Sequence, residues 1–311
     1  MNKLDFSQPL MVLAPLAGYT DLPFRSVVKK FGADLTISEM ISSNALVYNS
    51  SKTYKMLEKS ENEDPYFVQI AGNKPELVRD AVEILNDIEG IDGIDLNCGC
   101  PAPKVFNHGS GSNLLGDLKK LETILSTVKQ YNKKAYTSAK VRIGVNEKIP
   151  VEIAKAVEAC GVDFISVHGR TRAGQYKAPV DYDAIKMIKE SVRIPVIANG
   201  DIKDYKKSQE VLNYTKADGV MIGRGAIGKP WIFHQIKHGL DDDAISNELK
   251  KEIILEHYDA TLKFHGEHGA IMFRKLLHSY SKGYTGATEF RDIINRISDI
   301  QVMRDMIESF F

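Results

Sequence analysis

The chain has 311 residues, 43% of them hydrophobic and 26% charged, with 41 basic against 41 acidic side chains. That composition suits a soluble globular protein with a sizeable core, and a net charge of zero excludes a nonspecific nucleic-acid coat while leaving room for a local basic groove. Three cysteines are too few for a disulfide scaffold and no run approaches the ~18 apolar residues of a membrane span, so a reducing, cytoplasmic setting without a membrane is expected.

In chain order, the opening MNKLDFSQPLMVLAPLAG holds one apolar run, but Asp5 and Pro9 precede it and Pro15 interrupts it; it reads as a buried strand and a poor secretion signal. Similar β-branched runs recur as LTIS at 35, YFVQIA at 66, GIDLN at 93, SAKVRI at 138, DFISVHG at 163, IPVIANG at 194 and DGVMIG at 218. Stretches of helical period lie between them, among them PELVRDAVEIL, LETILSTVKQY, VEIAKAVEACG and YDAIKMIKES. Eight apolar strands alternating with amphipathic helices predict an α/β protein, a (β/α)8 barrel, over residues 1–240. A doubly wound sheet is the alternative, weakened because no G-x-G-x-x-G follows the first strand. The acidic run LDDDAIS at 240–246 reads as a linker, and beyond it the apolar residues take helical spacing. Residues 241–311 are therefore expected to form a small domain of about three helices; nine basic against thirteen acidic residues make it mildly acidic.

Chemistry in such a barrel belongs at the C-terminal ends of the strands. Those ends read Pro15-Leu16-Ala17-Gly18, Ser38-Glu39, Gln69, Asn97 to Pro101, Lys140 and Arg142, His168 to Arg170, Asn199-Gly200-Asp201 and Gly223-Arg224. Polar groups at nearly every strand end are costly to bury without a purpose. The glycine-rich turns of the last two units suit a phosphate, with Arg224 adding charge, although glycines also serve simple tight turns. Lys140 and Arg142 alternate on one strand and so share a face, where they meet an anionic ligand or, for Arg142, an ion-pair partner such as Glu39 or Asp95. His168 is equally readable as a functional group and as a hydrogen-bonded core histidine.

The stretch IDLNCGCPAPKV (94–105) puts two of the three cysteines in one turn. Zinc is disfavoured because no second cysteine pair or histidine pattern accompanies them, and a disulfide so short would be strained. The spacing suggests that one cysteine packs inward and the other faces the barrel mouth, with Gly99 allowing close approach to a flat ligand. The glycine- and serine-rich FNHGSGSNLLGD downstream is a candidate closing loop.

These stretches, with APLAGYTDLPFR (14–25), SEMISSNAL (38–46), VQIAG (68–72), AKVRIG (139–144), ISVHGRTRAGQY (165–176), IPVIANGDI (194–202) and DGVMIGRGAIGKPWIF (218–233), closely resemble the tRNA-dihydrouridine synthases. Those flavoenzymes reduce specific uridines in tRNA to 5,6-dihydrouridine. The likeness covers the barrel and reaches MFRKLLHSYSKGYTGATEFR (272–291) more loosely, where the family commonly has histidine in place of Leu276 and tryptophan in place of Ser279. The resemblance implies FMN as cofactor, reduced by NADPH or NADH. Its phosphate would lie at Asn199, Gly200, Asp201, Gly223 and Arg224, with Pro15, Leu16 and Ala17 under the ring, Gln69 and Lys140 on its pyrimidine edge and His168 assisting. Hydride passes from N5 to C6 of the uracil, and Cys100 matches the family's proton donor to C5. A free thiol titrating near ~8.5 is protonated at neutral pH and can act as a general acid. By the same resemblance Asn97 orients the base and Arg142 or Arg170 contacts it, while Cys98 is packing and no metal is required. The uridine must leave its stack to reach the site. Arg274, Lys275, His278, Lys282, Arg291 and Arg296 are candidates for tRNA phosphates, each also readable as a solvated surface charge. On the residues alone two other classes stay open: a barrel flavoenzyme for a free pyrimidine or enone, marked by turnover of those and none of tRNA, and a non-redox phosphate-binding barrel, marked by a colourless protein.

Overall fold

The computed structural model describes residues 4–241 and 244–311. All eight predicted runs form strands: β1 (Leu10–Leu13), β2 (Leu35–Ile37), β4 (Tyr66–Ala71), β5 (Gly93–Cys98), β6 (Tyr136–Arg142), β7 (Phe164–His168), β8 (Val196–Asn199) and β9 (Gly219–Ile222). A two-residue β3 (Ile41–Ser42) was not expected. It continues the second strand past an interruption at Ser38, where the side-chain hydroxyl takes over the ladder by accepting from the Gln69 N–H at 3.0 Å and donating to the Glu39 carbonyl at 2.9 Å. Every strand pair is parallel, β1 pairs with both β2 and β9, and β2 pairs with β4, so the sheet closes on itself as an eight-stranded (β/α)8, or TIM-type, barrel.

The register sorts the side chains by height inside the barrel. Phe67 stands opposite Gly93, Gly93 opposite Tyr136, and Ser138 opposite Phe164, so alternate residues of neighbouring strands point inward together. Phe67, Tyr136 and Phe164 fill the lower end, the latter two with ring centroids 5.7 and 5.9 Å from Phe67, beside Leu10, Leu35 and Ile197. Each large apolar side chain so buried contributes about 1.5–3 kcal/mol. Gly93 makes this layer possible, because a Cβ there would come within 2.5 Å of the Phe67 ring. One pleat higher the inward residues turn polar, and the apolar plug becomes the floor of the site.

Helices pack around the outside where the periodicity placed them, including Pro75–Asn86, Leu118–Tyr131, Pro150–Ala159 and Tyr182–Ser191. Asp21, Asp117, Asp181 and Asp204 start four of the outer helices by accepting a backbone N–H three residues on. Among the described residues the C-terminal region holds four α-helices, Asn247–His265, His268–Tyr280, Ala287–Ile294 and Ile300–Phe310. The fourth arises because Asp299 caps a new helix by accepting from the Val302 N–H, leaving Ile297 in the connection before it. These helices build their own apolar cluster around Tyr258, Phe273, Leu277 and Ile294, joined by Val27 and Trp231 from the barrel. Of the acidic run at 240–246, Asp242 and Asp243 lie outside the described residues.

Candidate active site

Above the aromatic floor, the inward residues of β4, β5 and β6 make one hydrogen-bonded layer. Asp95, fully buried, accepts from Ser138 Oγ at 2.6 Å and from Gln69 Nε2 at 2.7 Å. Gln69 Oε1 in turn accepts from Asn97 Nδ2 at 2.7 Å. Burial drives the Asp95 carboxyl up to about 6, and these two donors together with Lys140 oppose that rise. Lys140 reaches across to Asn199, donating to its Oδ1 at 3.0 Å, and Asn199 Nδ2 donates to the Met221 carbonyl at 2.7 Å. Desolvation and the neighbouring Arg142 hold the Lys140 ammonium down to about 8.

The two cysteines part company at the end of β5. Cys98 belongs to the core between strands and helices, and burial pushes its thiol well above the ordinary range. Cys100 is half-buried in the turn above, its backbone N–H donating to Asn97 Oδ1 at 2.9 Å and that of Gly99 to the same oxygen at 3.1 Å. From the other side, Ser112 Oγ donates to the Cys100 carbonyl at 2.8 Å. Gly111, at φ +61°, permits this seam, since a Cβ there would lie 3.1 Å from that carbonyl oxygen. The glycine-serine loop is thus packed onto the cysteine turn through Gly111 and Ser112.

Cations converge on the opposite side. Arg170 donates from Nη2 and Nη1 to the two Asp201 oxygens at 2.5 and 3.1 Å and from Nε to the Ala178 carbonyl at 2.5 Å, with Nη1 3.2 Å from His168 Nε2. Arg224 Nη2 reaches Asp201 Oδ1 at 2.7 Å. Asp201 itself sits at φ +48°, and both guanidinium groups hold its carboxyl below the usual range. His168 is depressed to about 2 by burial first and then by Lys140, Arg142, Arg170 and Arg224, so the imidazole is neutral at physiological pH. Gly223 lies against the turn after β1: a Cβ there would stand 3.4 Å from Ala14 and 3.6 Å from Leu16. Beyond Ala14, Pro15 and Leu16 are half-buried and Ala17 is exposed.

Arg142 forms neither of the ion pairs considered from sequence. Its Nε donates to the Gly99 carbonyl at 2.8 Å and its Nη1 to the Thr171 and Gln175 carbonyls at 3.0 and 3.1 Å. Tyr176 escaped the sequence reading. Its ring, 46% exposed, lies under the Arg224 guanidinium at 4.5 Å and that of Arg142 at 5.5 Å, and 6.0 Å from the His168 ring. The available signal was its place in the long loop after His168. In the tail, Arg274 donates to the Ile297 carbonyl, Arg291 to Ser281 Oγ, and Lys275 to the Gly18 carbonyl of the first strand-end turn, whereas Lys282 is exposed. A cavity of about 610 Å³ shares Arg170 with this cluster, is also lined by Asp181, Tyr182, Glu210 and Tyr214, and includes neither Cys100 nor Lys140. Among the described residues no group of three His, Cys, Asp or Glu side chains comes together to hold a metal ion, and no helix is long and apolar enough to cross a membrane.

An eight-stranded parallel barrel with one thiol, one ammonium and a cluster of guanidinium groups at its strand ends belongs to the broad class of TIM-barrel proteins with a site at the C-terminal face. Solved structures share the fold at low identity. Histamine dehydrogenase from Rhizobium sp. 4-9 aligns with a TM-score of 0.59 at 12% identity, over 80% of this chain and 48% of that one. Morphinone reductase aligns with a TM-score of 0.56 at 11% identity, over 78% and 88%. The sequence narrows the class. The dihydrouridine synthase (Dus) family profile matches residues 12–310, and the chain belongs to that family. A probable tRNA-dihydrouridine synthase of Helicobacter pylori (strain ATCC 700392 / 26695) is 52% identical over 99% of this chain and 94% of its own length. tRNA-dihydrouridine synthase B of Vibrio parahaemolyticus is 40% identical over 97% and 95%.

Proposed function

We propose that this protein reduces uridine in tRNA to 5,6-dihydrouridine in the cytoplasm, with FMN bound across the barrel mouth and NADPH or NADH as reductant. Family membership supports the reaction, and the names of the relatives above support tRNA as the substrate. The observation that carries the reading is the pairing of a half-buried Cys100, gripped by Asn97, with a strand-end cluster of Lys140, Arg142, Arg170 and Arg224 around a neutral His168.

That cluster fits FMN. Asn199, Gly200, Asp201, Gly223 and Arg224 would hold the phosphate, and a side chain at Gly223 would crowd Ala14 and Leu16 of the turn that would meet the ring. Pro15, Leu16 and Ala17 would face the ring system, and Gln69 and Lys140 its pyrimidine edge. When bound, the flavin supplies hydride to C6 of the uracil.

The remaining work falls to side chains of this chain. Lys140, kept in place by Asn199, stabilises negative charge that develops beside it. Asn97 and either Arg142 or Arg170 orient the base. Cys100 Sγ gives its proton to C5, and the thiolate recovers one from solvent, so hydride at C6 and proton at C5 complete the reduction. Residues 241–311 face the RNA, with Lys282 exposed and Lys275, Arg274 and Arg291 half-buried. Mapping dihydrouridine in tRNA from cells with and without the gene tests the reading: loss of the modification at a defined position supports it, and an unchanged pattern refutes it.

A further inference from the structure

The contacts around Asp95 run in one direction. Ionised, a carboxylate only accepts hydrogen bonds, so the end of Gln69 that faces Asp95 must be its amide nitrogen, 2.7 Å away. Gln69 Oε1 is then turned to position 97 and must meet a donor, which Asn97 Nδ2 provides at 2.7 Å. That leaves Asn97 Oδ1 toward the turn, where it receives the N–H groups of Gly99 and Cys100 at 3.1 and 2.9 Å. Reversing Asn97 would set donor against donor at the cysteine turn, and reversing Gln69 would set acceptor against acceptor at Asp95 and donor against donor at Asn97. Gln69 and Asp95 are fully buried and Asn97 is 8% exposed, so water is a poor substitute for any link. Ser138 occupies the second Asp95 oxygen at 2.6 Å and keeps the carboxylate itself from turning.

We propose that Asp95 is a positioning residue: through the fixed orientations of Gln69 and Asn97 it sets the placement of the Cys100 thiol. The proposal rests on the functional reading above for its catalytic consequence, but not for its structural one. A misplacement of about 1 Å at a reacting group costs on the order of 100-fold in rate, which is the scale expected when the chain of bonds is broken.

Two substitutions separate orientation from charge. Asp95→Asn keeps the relay, since its amide oxygen accepts from Gln69 while its nitrogen donates to the Ser138 hydroxyl. Asp95→Leu keeps the branched shape and removes both acceptors. With full-length flavin-loaded protein, Asp95→Asn should hold kcat for dihydrouridine formation within about threefold of the parent. Asp95→Leu should lower kcat about 100-fold. Independently of turnover, alkylation of Cys100 by iodoacetamide, followed by peptide mass spectrometry, should be faster in Asp95→Leu than in the parent and unaltered in Asp95→Asn. If Asp95→Leu does not fold, Gln69→Met breaks the same chain one link later and carries the same alkylation result. Parental alkylation and kcat in the relay-breaking variant overturn the proposal, as does equal damage from Asp95→Asn. Should the parent form no dihydrouridine while the alkylation contrast persists, the relay stands and the functional reading fails.

Discussion

Arg142 Nε donates to the Gly99 carbonyl at 2.8 Å, while Nη1 of the same guanidinium holds the carbonyls of Thr171 and Gln175. One buried side chain therefore braces the cysteine turn against the loop that carries Tyr176. Lysine keeps the charge but lacks the planar fork that reaches three carbonyls. Arg142→Lys is expected to lower dihydrouridine formation at least about tenfold, the effect of loosening a positioned reactive group. Flavin content should be retained, and amide hydrogen exchange should quicken at 99–101 and 171–175. Parental exchange in both segments contradicts the bracing role.

Lys140 sets a pH dependence for cofactor affinity. Its ammonium, lowered to about 8 in the free site, is favoured by any hydrogen-bond acceptor that binds beside it. The bound-state value then lies above 8, so binding takes up a proton and affinity falls as pH rises beyond about 8, by up to tenfold per unit. Titration of the flavin-free protein with FMN should show this decline, and Lys140→Met should bind more weakly and lack it. A native profile level from pH 7.5 to 9.5 argues against Lys140 as the flavin's partner.

His168 makes a separate contribution to acid lability. Its value of about 2 in the folded chain lies below the ordinary 6.5, so the unfolded chain binds the extra proton between those limits. The stability tied to the neutral imidazole is complete above about 6.5 and is lost as pH falls below it, at up to about 1.4 kcal/mol per unit. In urea unfolding of the flavin-free protein at pH 7 and 5, His168→Gln should lose less stability across that interval than the parent. Equal losses would mean that another group governs acid unfolding.

The barrel was legible because its strands are buried on both faces and so stand out as unbroken β-branched runs, with helices of clear period between them. The strand ends were legible for a related reason: Asn97, Lys140, His168 and Asn199 are polar residues closing apolar runs, and closure of a parallel barrel brings all such ends to one rim. What each polar group binds was not legible. Arg142 could be placed on the inner face but its three carbonyl partners lie on loops after β5 and β7, distant in sequence. Tyr176 gains meaning only from the Arg224 and Arg142 groups stacked on it. The break at Ser38 and the extra helix at Asp299 each depend on one side chain replacing or capping a backbone bond, too local a signal for periodicity to register.

The central claim is that Cys100, and not Cys98, delivers the proton that completes reduction of the uracil. It is tested by comparing native enzyme with Cys100→Ala, each loaded with flavin, for NADPH consumption and for dihydrouridine formed in a tRNA transcript. The account predicts flavin content and flavin reduction by NADPH at the native level in the variant, with dihydrouridine formation lowered about 100- to 10,000-fold, as for loss of a general acid. Dihydrouridine formed by Cys100→Ala at the native rate would contradict it.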